Sequence, residues 1–109
     1  MGIRELESVE EFEEFVAENR VVVVDFYTSW CPPCKMMEPE LEKASKLLPK
    51  AAFARVNLEQ VKELMYKFDI RMVPTLMVFV HGELAGKAIG FRDSSAIVKL
   101  VKEAVVGDG

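Results

Sequence analysis

Apolar residues fall along this chain in blocks whose spacing changes from helical to strand-like and back. Val9, Phe12, Phe15 and Val16 recur at the three-to-four interval of one helix face, and Ser8 with Glu11 forms a capping box at its start. Val21-Val22-Val23-Val24-Asp25-Phe26-Tyr27 is apolar at both parities except at Asp25, the pattern of a central strand covered on both faces. A second helical stretch follows the cysteines and runs to about Leu48. Pro39 is expected to kink it, because its ring displaces a carbonyl partner. Ala52 to Leu58 reads as a strand, and Val61, Leu64, Met65 and Phe68 are spaced for a short helix. Thr75 to Val80, the tight turn His81-Gly82 and Glu83 to Ile89 read as a hairpin. Asp93 caps a last helix with Ala96, Ile97, Leu100, Val101, Ala104 and Val105 on one face, and Gly107-Asp108-Gly109 reads as a frayed tail. With Ile3-Arg4-Glu5-Leu6 as a short first strand, the order is βαβαβαββα. Parallel crossovers followed by an antiparallel hairpin imply an α/β fold, a mixed central sheet with helices on both faces.

A chain of 109 residues allows one domain, residues 1–109, with a two-sided core. A net charge of −4 with no basic cluster speaks against nucleic acid or an anionic membrane as the main partner. The N-terminus turns acidic at once and no apolar run approaches a membrane span, so a cytoplasmic setting is expected. In that compartment a cysteine pair reads as catalytic or metal-binding rather than as a structural staple.

The only two cysteines, Cys31 and Cys34, lie in Trp30-Cys31-Pro32-Pro33-Cys34-Lys35, directly after the apolar strand. One helical turn apart, their Cα atoms would be roughly 5 Å from each other, a span a disulfide bridges. So short a closed loop gains little chain entropy, which suits a bond that forms and breaks. Free N–H groups and the dipole at a helix N-terminus favour a thiolate. Cys31, preceding the helix, is the candidate nucleophile and the more exposed member. Cys34, one turn in, is the sheltered resolving thiol. Neither Pro32 nor Pro33 has an N–H, so the Cys31 sulfur draws donors only from Cys34 and beyond. The competing reading, half of a metal site, needs ligands from a second chain, because the sole histidine is remote in sequence.

Asp25 interrupts the most apolar strand six residues before Cys31. It is either a strand-end carboxylate reaching solvent or a buried one with a raised pKa, serving Cys34 as proton acceptor and donor. Trp30 is placed to form a partly exposed wall of the site. Met36, Met37, Met65 and Met77 read as core, whereas Met72, in the loop before Val73-Pro74-Thr75, is an adaptable contact for partners.

Asp25-Phe26-Tyr27, Trp30-Cys31-Pro32-Pro33-Cys34-Lys35-Met36, Pro39, Val73-Pro74-Thr75, Gly82 and Gly90 together resemble the thioredoxin family, in order and spacing, over essentially the whole chain. The resemblance implies the thioredoxin fold, a five-stranded mixed β-sheet flanked by four α-helices, with a cis peptide at Pro74. It implies a thiol–disulfide oxidoreductase that reduces disulfides in proteins through a reversible Cys31–Cys34 dithiol/disulfide. No cofactor is expected, electrons arriving from a separate NADPH-linked thioredoxin reductase, and a monomer is expected. By the same match Asp25 is the buried carboxylate, and Gly90 lets a partner's backbone approach. With a cis bond at Pro74, the backbone of Val73 would turn outwards and pair with an extended substrate segment. Three residues depart from the family pattern: Pro32 replaces the usual glycine, Tyr27 a tryptophan, and Arg55 the lysine beside the aspartate. Two other functions compete. A disulfide oxidase or isomerase of the same fold is disfavoured by the missing signal sequence and the Pro-Pro pair. A non-catalytic docking subunit would need neither the cysteines nor a buried aspartate.

Overall fold

The computed structural model describes residues 2–108 and contains the elements in the expected order. Strands β1 (Ile3–Leu6), β2 (Val21–Tyr27), β3 (Ala52–Asn57), β4 (Thr75–Val80) and β5 (Glu83–Ile89) alternate with helices α1 (Val9–Glu18), α2 (Pro32–Leu47), α3 (Lys62–Lys67) and α4 (Ser94–Asp108). The strands form one sheet in the order β1-β3-β2-β4-β5. Strand β3 runs parallel to both β1 and β2, while β4 runs antiparallel to β2 and β5. The mixed five-stranded sheet with four helices is therefore present, and β2 is its central strand.

Alternation along β2 divides the interior in two. Val22, Val24 and Phe26 enter a core with Phe12 and Val16 of α1, Leu64 of α3, and Met77 and Phe79 of β4. Val23 enters the other, with Met37, Leu41 and Ala44 of α2 and Ile97, Val101 and Ala104 of α4. Each side chain buried in this way contributes roughly 1.5–3 kcal/mol, which is why an all-apolar β2 belongs in the middle. Asp25 has the parity of Val23, so it faces the layer that contains α2.

Local signals act as their chemistry dictates. Ser8 Oγ accepts from the Glu11 amide at 3.1 Å, and the Glu11 carboxylate reaches back to the amide of Glu7 at 2.9 Å, one residue before the cap. Asp93 Oδ1 accepts from the Ala96 amide at 2.9 Å. The β4–β5 turn places both His81 (φ 52°) and Gly82 (φ 82°) in the left-handed region, as a two-residue hairpin turn requires. Helix α2 continues through Pro39 without a break.

Four details differ from the sequence reading. Strand β3 ends at Asn57, whose side-chain oxygen takes the Glu59 amide at 2.8 Å and turns the chain. Helix α3 begins at Lys62, with Val61 buried at its N-cap. Helix α4 runs on through Gly107 to Asp108, because one glycine near a helix end is tolerated when no proline or capping residue stops the chain; Gly109 lies outside the described residues. Finally, Met36 is exposed (62%), since it lies off the buried stripe of α2 that carries Cys34, Met37 and Leu41.

Candidate active site

The chain leaves β2 at Tyr27, crosses the 28–30 segment and enters α2 at Pro32. Cys31 is the N-cap residue of α2, in the extended conformation (φ −124°, ψ 101°) that a following proline favours. Pro32 and Pro33 occupy the first two helical positions, where a missing N–H costs little. Cys31 and Cys34 are joined by a disulfide, with Cα atoms 5.2 Å apart. The Cys34 amide donates to Cys31 Sγ at 3.2 Å. It is the donor expected once the two prolines are discounted.

Both cysteines are more enclosed than the sequence implies, with Cys31 7% and Cys34 1% exposed. Cys31 Sγ lies 3.7 Å from the carbonyl oxygen of Val73, so the loop before β4 closes over it. The Val73–Pro74 peptide is cis. Thr75 Oγ1 donates to the Met72 carbonyl at 2.6 Å, and the Gly90 amide donates to the Pro74 carbonyl at 2.8 Å. Gly90 has φ +94°, a conformation that glycine adopts without strain, and a Cβ there would meet only Arg92 Nη1, at 3.9 Å.

Around this pair, Trp30 (88%) and Met72 (64%) are exposed, Val73 is half-buried and Pro74 is buried. Trp30 is thus a projecting side chain more than a wall. Phe91 (40%), beside Gly90, is a further exposed apolar side chain that the sequence reading passed over. So was Glu59, which accepts from both the amide and the hydroxyl of Ser29 and anchors the segment bearing Trp30. Those bonds hold the Glu59 carboxyl below its usual pKa.

Asp25 is fully buried, which decides between the two readings of its position. Burial in the apolar strand pushes its pKa up from 3.8 to about 6, and the nearby Arg55 guanidinium limits the rise. Arg55 is its register partner on β3, with Nε 3.4 Å from Asp25 Oδ2. Asp25 and Cys34 both face the layer between the sheet and α2. Asp25 points from the sheet towards α2, and Cys34 is on the buried stripe of α2 with Met37 and Leu41.

Because Pro33 removes the amide at the second helical position, one of the two donors an N-cap side chain ordinarily uses is missing. Pro33→Ala restores it. The pKa of Cys31 in the reduced protein is then expected to fall by about half a unit, the worth of one modest hydrogen bond. Titration of thiolate absorbance checks this, and a rise would show that loop stiffness rather than donor supply governs the sulfur.

A disulfide spanning one helical turn at the strand-to-helix junction of this sheet defines a thiol–disulfide oxidoreductase. The thioredoxin family model matches residues 4–103, and thioredoxin of Mycoplasma pneumoniae is 35% identical over 93% of this chain and 99% of its own. The chain belongs to the thioredoxin family and is a protein-disulfide reductase. Thioredoxin-1 of Saccharomyces cerevisiae is 30% identical, covering 97% of this chain and 98% of its own. Among solved structures, thioredoxin of Plasmodium falciparum superposes with a TM-score of 0.86 at 32% identity, over 92% of this chain and 97% of its own. A mutant thioredoxin from Halobacterium salinarum does so with 0.89 at 30% identity, over 94% and 90%. Thioredoxins work through their own disulfide, on disulfide-containing proteins and with a reductase as electron source. Among the described residues no helix is long and apolar enough to cross a membrane.

Proposed function

We propose that the chain acts as a single-domain, monomeric cytoplasmic reductase in which Cys31 attacks and Cys34 resolves. The observation that carries this assignment is the N-cap position of Cys31, whose sulfur takes the Cys34 amide at 3.2 Å and faces the positive end of α2. The Cys31 thiolate attacks one sulfur of a substrate disulfide; that S–S bond breaks and the other substrate sulfur leaves as a thiolate. Cys34 then gives its proton to Asp25 and attacks Cys31 Sγ, displacing the second substrate sulfur and closing Cys31–Cys34. The substrate gains two electrons, and a reductase returns them to the pair, so no resident cofactor takes part. Asp25 is suited to the proton step because burial holds its pKa near 6. Trp30, Met72, Val73, Pro74 and Gly90 form the substrate rim: the exposed side chains of Trp30 and Met72 flank the half-buried Val73, whose backbone pairs with an extended segment irrespective of that segment's side chains.

The reductase reading is tested by equilibrating the protein with a glutathione buffer poised at about −220 mV. A reductase pair remains mostly oxidised there, since its electrons pass on to the buffer. A pair largely reduced under the same conditions would instead mark an oxidase or isomerase.

A further inference from the structure

At the end of the sheet nearest α2, three polar residues lie in register across three strands: Glu5 on β1, Arg55 on β3 and Asp25 on β2. On β4 the register partner of Asp25 is the uncharged Leu76. A guanidinium opposite a carboxylate on a neighbouring strand ordinarily grips both oxygens with two parallel bonds. Here it does not. Only Nε reaches Asp25, at 3.4 Å to Oδ2, while Oδ1 is fully buried and has no hydrogen-bond partner. Arg55 Nη2 is turned away to Glu38 on α2, at 3.1 Å. The guanidinium carbon rests 3.8 Å from the centroid of the Tyr27 ring, and Tyr27 is in turn fixed by donating its hydroxyl to Glu5 at 2.8 Å. Tyr27 thus supports one face of the guanidinium, and Glu38 fixes its rotation.

We propose that Glu38 is a positioning residue, which holds Arg55 to a single Nε contact with Asp25 and leaves Asp25 Oδ1 free to take and release a proton. The inference deepens the reading in which Asp25 accepts the Cys34 proton, and rests on it. A carboxylate gripped at both oxygens by arginine would stay ionised and accept a proton poorly. One with no cation nearby would hold its proton too firmly to pass it on. Glu38 and Cys34 are one turn apart on α2, so the helix that presents the thiol also sets the cation beside its acceptor. The charged groups acting on Asp25 are Arg55, Glu38 and Glu5, and Glu38 acts both by its own charge and through Arg55.

The two routes separate in a double-mutant comparison. Glu38 is half-exposed on a helix, so Glu38→Ala is expected to fold. The Asp25 carboxyl is titrated by carbon NMR in the oxidised protein, where neither cysteine ionises. Glu38→Ala is expected to let Arg55 close on both oxygens and lower the Asp25 pKa by about one unit. In an Arg55→Gln background the same change is expected to shift it by less than about a third as much. Equal shifts in the two backgrounds, or none in the first, would overturn the proposal. The pH profile of mixed-disulfide release by Cys34 is expected to move to lower pH together with Asp25. If Asp25 shifts as expected but the release profile does not, the positioning role of Glu38 stands and the proton-acceptor role of Asp25 fails.

Discussion

Cys31→Ser is expected to lower disulfide reduction by more than about a thousandfold, because the one remaining thiol, Cys34, is enclosed and poorly placed to form the first bond to substrate. Cys34→Ser is expected to behave differently. It retains the N-cap nucleophile, so it captures a disulfide substrate and accumulates as a mixed disulfide that only added thiol dissolves. The two variants are compared by non-reducing electrophoresis and by mass spectrometry after mixing with an oxidised substrate protein. Their asymmetry follows from where the cysteines sit. Cys31 caps α2 and retains a little exposure, while Cys34 is sealed one turn inside. Equal trapping by both variants would remove the distinction between attacking and resolving thiol.

Asp25→Asn is expected to make the protein more stable and a poorer reductase. With a pKa of 3.8 when unfolded and about 6 when folded, the carboxyl keeps its proton longer in the native state. Through that window the native state binds more protons than the unfolded chain, so stability falls as pH rises from about 4 to 6. Above it, the full penalty of a buried charge is present, about 3 kcal/mol for a shift of this size. Asparagine removes the charge with little change of shape. Denaturant unfolding is expected to show a gain of about that size at pH 8, shrinking to nothing below about pH 4. Release of the mixed disulfide by Cys34 is expected to slow by about a hundredfold, with attack by Cys31 unchanged. Fluorescence of Trp30, the only tryptophan, follows both steps. A stability loss at pH 8 with an unchanged release rate would refute both halves.

The sheet, its strand order class and the cysteine site were legible because each rests on a local pattern. Apolar residues at both parities of Val21–Tyr27 mark a strand covered on two faces, and a C-x-x-C after it marks a disulfide across one turn. The apolar run alone left the burial of Asp25 as one of two readings, since a single acid says nothing of strand length beyond it, and only the family resemblance favoured the buried one. Glu38 was not legible at all. Its partner Arg55 lies 17 residues further on in another element, and an acid on a helix reads as a solvated face until the register is known. Met36 misled for the opposite reason: methionine is apolar enough to read as core, and only the angular position on α2 puts it outside. The anchoring of Ser29 by Glu59 spans 30 residues and has no periodic signature.

The parts of the active site are bolted to different foundations. Cys34 belongs to α2, which is seated on the core of Met37, Leu41 and Ile97, whereas Val73 packs against the opposite core of Phe12, Leu64 and Phe79. The contact of 3.7 Å between Cys31 Sγ and the Val73 carbonyl is therefore a joint between two parts that rest on opposite cores of the sheet. Loosening either foundation shifts one jaw of a vice while the other stays put. The geometry around Cys31 Sγ therefore rests on the packing of both cores, not on that of α2 alone.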